Sequence, residues 1–216
     1  MTPRLQDRWR SVCENNGLDA HDGWLSLLQG YAEPPRAYHD LKHIEDCLLR
    51  FDEHAHLAAD TAAVEFAIWF HDIVYDTHTK DSEERSAEVA ADYLSGTQFE
   101  TSVVDLILAT KHDELPRTGD AALLCDVDLS ILGRTPDEYD IYSRSIREEY
   151  SWVPLAEYVT GRSNVLKEFL MRPSIFTLAG MRTVYESLAR DNLKRELCTL
   201  EGMALSIPTD IPARSR

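Results

Sequence analysis

Apolar side chains recur at three- and four-residue spacing along most of the chain, and no two segments alternate as a pair of strands would. That is helical periodicity. Leu5, Trp9, Val12 and Cys13 make the stripe of a first helix. A second covers about Asp22–Gly30, and Pro34-Pro35 closes the connection after it. A third runs from about Tyr38 to His56, and a fourth from about Thr61, through the apolar block Phe66–Phe70, to near His71-Asp72. Ser82 reads as an N-cap region, with Ala87, Ala90, Ala91 and Leu94 as the buried face up to Gly96. Val103 to His112 makes a short apolar helix that must stop before Pro116. Asp120 reads as the cap of the next, an apolar run Ala121–Leu132 broken only by Asp126, Asp128 and Ser130, with Gly133 as its stop. After Pro136, Tyr139, Tyr142, Ile146 and Tyr150 form another stripe. The last long helix spans about Arg182–Ala204, with Val184, Leu188, Leu197 and Leu200 expected inside, and Pro208–Arg216 reads as a frayed tail. The expectation is an all-α, single-domain helical bundle over 1–216. Its core lies at about 31–135, and helices from 136–205 pack on it.

Composition supports this. The chain has 216 residues, 44% of them hydrophobic, enough to bury a sizeable core. Only nine Gly and nine Pro are present, fewer than a turn-rich β fold usually needs. The formal net charge is −16, which argues against a broad nucleic-acid surface or attraction to an anionic membrane. A phosphate-bearing partner must then be met locally. The four cysteines, Cys13, Cys47, Cys125 and Cys198, form no CxxC pair, so a reduced compartment is favoured over a disulfide framework. Met1–Arg10 is polar and reads as no secretory signal, and no apolar run approaches the roughly 18 to 20 residues needed to span a bilayer. The expected location is cytoplasmic.

Three segments carry chemistry. Tyr38-His39-Asp40-Leu41-Lys42-His43 sets two imidazoles four apart, which on one helix would share a face. His71-Asp72 follows the buried run Ala67-Ile68-Trp69-Phe70, where a carboxylate needs compensation, and a metal ion supplies it. Leu123–Leu129 places Asp126 and Asp128 in an apolar helix, about 200° apart, so one faces a site and the other pairs elsewhere or orients a ligand. Two imidazoles and two carboxylates form a mixed set suited to Mn, Fe, Zn, Co or Ni, less so to Mg. A cation so held can activate water and polarise a phosphoryl oxygen.

The order His43, His71-Asp72, Asp128 resembles the H…HD…D signature of the HD superfamily of metal-dependent phosphohydrolases. The YHDLKHI segment is similar to the YHxxxH stretch of cyclic-nucleotide phosphodiesterases, which implies His43 as a metal ligand and His39 as the proton donor. HDIVYDT resembles the HDxxED stretch of ppGpp hydrolases, with Tyr75 where those carry Glu and Asp76 retained. DVDLSILG resembles the segment that ends the HD core, which implies Asp128 as a ligand and Asp126 behind it. EERSA, KHD, IREEY, GRSNVLKEFL and ARDNLKRE extend the likeness, over residues 31–200, to a bacterial group of HD-type hydrolases defined by sequence.

The resemblance implies a divalent cation on His43, His71, Asp72 and Asp128. His39, Asp72, Glu84 and His112 are the candidate catalytic groups. Asp72 or Asp128 would steer water or take its proton, Glu84 would hold a metal-bound water and act as base or else serve its helix N-terminus, and His112 would line the site or else cap its helix. Lys111 is the candidate phosphate contact. Arg36, Arg147 and Arg162 could meet phosphate, but surface ion pairing is the favoured reading for each. The expected activity is hydrolysis of a small phosphorylated molecule, a nucleotide before others, with no nucleic-acid polymer or membrane as partner and a homodimer left open. Two rivals stand beside it: a di-iron HD-type oxygenase, which would need more imidazoles than His78 and His112 supply, and a non-catalytic nucleotide-binding sensor.

Overall fold

The computed structural model describes residues 2–111 and 119–206, and among them every regular element is helical. Ten α-helices follow one another: α1 Thr2–Asn15, α2 Ala20–Tyr31, α3 Leu41–His54, α4 Thr61–Phe70, α5 Ser82–Tyr93, α6 Glu100–Ala109, α7 Gly119–Asp128, α8 Pro136–Glu149, α9 Leu155–Met171 and α10 Ala179–Ser206. Short 3₁₀ turns at Ala55–Leu57 and Leu129–Gly133 extend α3 and α7. The all-α class expected from periodicity is what the chain forms.

Local chemistry sets most of the starts. Asp19, Asp40 and Asp60 accept hydrogen bonds from the first amides of α2, α3 and α4. Thr135 and Glu138 form a reciprocal capping box at α8, with Pro136 in the first turn. α4 is buried nearly all round, because helices pack on several of its sides: α3, α5, α6 and α7 all touch it. Its Phe66, Trp69 and Phe70 meet Trp9 edge-on, and the Trp9 indole donates to the Ala20 carbonyl at 2.8 Å. Each such fully buried side chain contributes roughly 1.5–3 kcal/mol. The buried core runs without a break from Leu5 to Leu200.

Four expectations need correction. α3 begins at Leu41, not Tyr38, because the Asp40 carboxylate takes the Lys42 and His43 amides and starts the helix there. Asp120 does not cap α7; its carboxylate reaches across to the Ala59 and Asp60 amides, at 2.7 and 2.9 Å. α10 starts at Ala179, and its Val184 and Leu188 are exposed rather than inside. Leu155–Met171 forms a helix that the periodicity reading passed over. Gly133, the expected stop, closes the second 3₁₀ turn, where α10 lies so near that a Cβ would fall 2.5 Å from that of Tyr185. His112 and the tail from Pro208 lie outside the described residues.

Candidate metal centre

Three helix ends meet at one point. His43 sits in the first turn of α3, His71 follows α4 as its C-cap, and Asp128 is the last residue of α7. The C-terminal end of α4 brings the negative pole of a helix dipole there, which favours a cation, against the opposite pole of α3. His43 and His71 are buried, while the Asp72 and Asp128 side chains keep 17% and 19% of their surface exposed, so the carboxylates form the open side.

The donor atoms converge. His43 Nε2 lies 3.2 Å from His71 Nε2, 3.5 Å from Asp72 Oδ2 and 3.3 Å from Asp128 Oδ1. His71 Nε2 lies 3.2 Å from Asp72 Oδ2 and 3.6 Å from Asp128 Oδ1. One atom from each residue falls within 4.8 Å of all the others. Around an ion with bonds near 2.1 Å, neighbouring donors stand about 3.0 Å apart in an octahedron and about 3.4 Å in a tetrahedron. The five spacings that involve an imidazole, 3.2–3.6 Å, are therefore of the size that a divalent cation sets.

The protonation pattern points the same way. His71 Nδ1 lies 3.0 Å from the Ile68 carbonyl, which only accepts, so Nδ1 carries the hydrogen and the Nε2 lone pair faces the cluster. Burial pushes the His71 imidazole down. The Asp72 charge and the bonds to Asp128 and Asp72 outweigh burial, and the net direction is well up. His43 is likewise pushed down by burial and raised on balance by neighbouring Cys47 and Tyr38 and by the same carboxylates. Burial raises Asp72, but the two imidazoles hold it well below the usual carboxylate range. Groups that draw positive charge into one place are what a cation satisfies.

Beside this group stands His39, which precedes α3 and therefore does not share a helical face with His43 as the spacing had suggested. Its ring packs 5.7 Å from the His43 ring and stacks on Tyr75 at 4.0 Å. It is held by a residue that the sequence reading did not select. Glu149, fully buried at the end of α8, accepts from the amides of Ala37, Tyr38 and His39 at 2.8–2.9 Å through Oε1, and binds His39 Nδ1 at 2.8 Å through Oε2. Burial raises Glu149, and its bonds to His39 and to the Tyr38 and His39 amides reverse the direction, so it stays an ionised acceptor. A signal existed: Glu149 lies three residues after Ile146 on the apolar stripe of α8, where a charge has to be satisfied.

Arg36 is the second supporting residue. Nη1 donates to the His39 and Asp72 carbonyls at 2.9 and 2.6 Å, and Nη2 to the Ile73 carbonyl at 2.8 Å. It is a clamp between the His39 loop and the Asp72 turn, not a surface ion pair. Arg147 donates to the Tyr150 and Val153 carbonyls, and Arg162 forks onto Glu196. All three arginines thus serve the fold.

Other candidates have other partners. Asp126 is buried and points away from the cluster, accepting from Thr177 and Leu178 amides at 2.8 and 2.7 Å; burial pushes it up to about 6 against those two bonds. It anchors the entry to α10 and does not touch the metal-holding residues. Glu84 and Lys111 form an ion pair with each other. α5 is tied to the loop after His71-Asp72, since Ser86 Oγ of the EERSA segment bonds both backbone groups of Val74 and Ser82 Oγ, just before that segment, accepts from the Asp76 amide. Asp76 is occupied by His78 in a turn and lies outside the cluster.

The fold and site together define an all-α protein with a buried His₂Asp₂ group suited to a divalent metal, an arrangement loosely compatible with an HD-type site. Comparison with protein-family models, with curated proteins and with solved structures finds no match to this chain. Among the described residues, no helix is long and apolar enough to cross a membrane.

Proposed function

We propose that the protein is an HD-type, metal-dependent phosphohydrolase that cleaves a phosphoester or phosphoanhydride in a small molecule, a nucleotide before others. The observation that carries this reading is the convergence of His43, His71, Asp72 and Asp128 within 4.8 Å, in the order H…HD…D, beside an imidazole held by a buried carboxylate. A divalent cation held there supplies Lewis-acid polarisation of a phosphoryl oxygen and a water of lowered pKa. His43 and His71 would hold the cation from the buried side. Asp72 or Asp128, on the open side, would steer the attacking water or take its proton. Glu149 accepts a hydrogen bond from His39 Nδ1–H, so the proton that would pass to the departing oxygen is one carried on Nε2. Arg36 keeps the proton donor and Asp72 in register through their carbonyls.

The oxygenase rival needs a second set of imidazoles. Among the described residues a single group could hold a metal, and His78 is engaged with Asp76 and stacked on Trp152. The decisive experiment is elemental analysis of freshly purified protein, then a screen of phosphorylated metabolites with the metal found. His71→Ala and Asp72→Ala should each lose metal and hydrolysis together. A folded, metal-loaded His71→Ala protein that turns over phosphoesters as fast as the parent would end this reading.

A further inference from the structure

Away from the metal centre, a cleft of about 510 Å³ opens between α8, α9 and α10. Its walls include Leu155, Tyr158 and Leu200 on the apolar side and Arg144, Arg147 and Arg195 on the polar side. Two carboxylates also line it, and each already has a cation. Asp140 pairs with Arg195 at 2.7 Å, and Glu196 takes the Arg162 fork at 2.9 and 3.0 Å. Arg147 spends two donors on the neutral carbonyls of Tyr150 and Val153 and lies over the Tyr158 ring at 4.5 Å. Arg144 is exposed. Neither Arg144 nor Arg147 meets a carboxylate within 4.0 Å among the described residues. Two uncompensated guanidinium charges beside an apolar floor stand out in a chain of net charge −16.

We infer that this cleft is a second ligand site, which takes a small organic anion: a carboxylate or phosphate head against Arg144 and Arg147, and a hydrocarbon or aromatic body on Leu155, Tyr158 and Leu200. Guanidinium forks suit such heads in geometry as well as charge, and pockets of this size with apolar walls and few polar groups suit such bodies. The site is also connected. Arg147 fastens the turn Tyr150–Val153, which begins one residue after Glu149, the residue that holds His39. An anion that draws on Arg147 therefore acts on the end of α8 that positions the proton donor.

The inference is separate from the proposed reaction and is tested by binding. Octyl phosphate, kept below its micelle range, is titrated calorimetrically into the parent protein, into His43→Ala and into Arg144→Glu and Leu155→Ser, both exposed positions. One saturable equivalent is expected in the parent and in His43→Ala. Affinity should fall at least tenfold in Arg144→Glu and several-fold in Leu155→Ser, while inorganic phosphate and octanol each bind far more weakly. Absence of saturable binding, loss of it in folded His43→Ala, or unchanged affinity in both cleft variants would overturn the site. In the parent, the His39 imidazole resonances should shift along the same saturation curve; saturation without that shift would overturn the connection to α8.

Discussion

Replacing Glu149 by Gln separates the two tasks of that carboxylate. Its Oε1 serves three backbone amides, and an amide carbonyl in the same place can serve them too. Its Oε2 takes the hydrogen of His39 Nδ1, and there the substitution puts an NH₂ group, which donates. The His39 ring must answer by offering a lone pair at Nδ1, so any hydrogen it carries sits on Nε2. Stability should change little. Charged acceptors bind more strongly than neutral ones, but a buried charge is removed as well, so the net loss is about 2 kcal/mol or less, or roughly 4–8 °C in Tm. Glu149→Ala is different, because three half-buried amides lose their acceptor at about 1 kcal/mol or more each. Nitrogen-15 NMR of the zinc- or magnesium-loaded protein reads the tautomer directly. The parent should show a hydrogen on Nδ1 and Glu149→Gln should show none there, with metal content unchanged and hydrolysis down by about 10²-fold, the low end of general-acid contributions. An unaltered Nδ1–H signal in the variant, or loss of metal alongside activity, would refute the assignment of Glu149 to His39.

Arg36→Lys should weaken zinc or manganese binding by about 10- to 100-fold, as outer residues that orient ligands do, although Arg36 touches no donor atom; equal affinities by calorimetric titration would show that the clamp on the Asp72 carbonyl does not matter. Glu196 ties acid stability to the C-terminal helices. Burial raises it, and the Arg162 fork and Tyr139 hydroxyl hold it below its ordinary value, so the unfolded chain binds the proton more readily and stability is present above the unfolded pKa and lost as pH falls through the folded one. Glu196→Gln should therefore flatten the acid limb of a stability–pH curve below about pH 4.3. It should also cost about 3–5 kcal/mol at neutral pH, because Arg162 is left buried without its counter-charge. A limb as steep as the parent's in urea melts across that range would count against the pair.

The donors were legible because each lies at a helix end, and helix ends leave marks. Asp40 caps, the apolar block Phe66–Phe70 stops at His71, and Asp126 and Asp128 interrupt a run that otherwise wants only apolar side chains. The same marks, weighed more fully, would have moved the start of α3 to Leu41. Asp40 competes with its own backbone for the role of acceptor, and in the cap position that competition ends in favour of the side chain. Periodicity failed where burial did not follow it: Val165, Met171, Val184 and Leu188 are apolar yet exposed, so α9 escaped notice and α10 was given too large an inside. The supporting residues were hidden for another reason. Glu149 stands 110 positions from His39 and Arg36 stands 36 from Asp72, and both act largely on backbone amides or carbonyls. A side chain that binds backbone imposes no residue type on its partner, so the pairing leaves no second letter to match. What remained visible was the cost, a carboxylate on the apolar stripe of α8 and a guanidinium in a loop beside two prolines, and such costs point to a function before any partner is known.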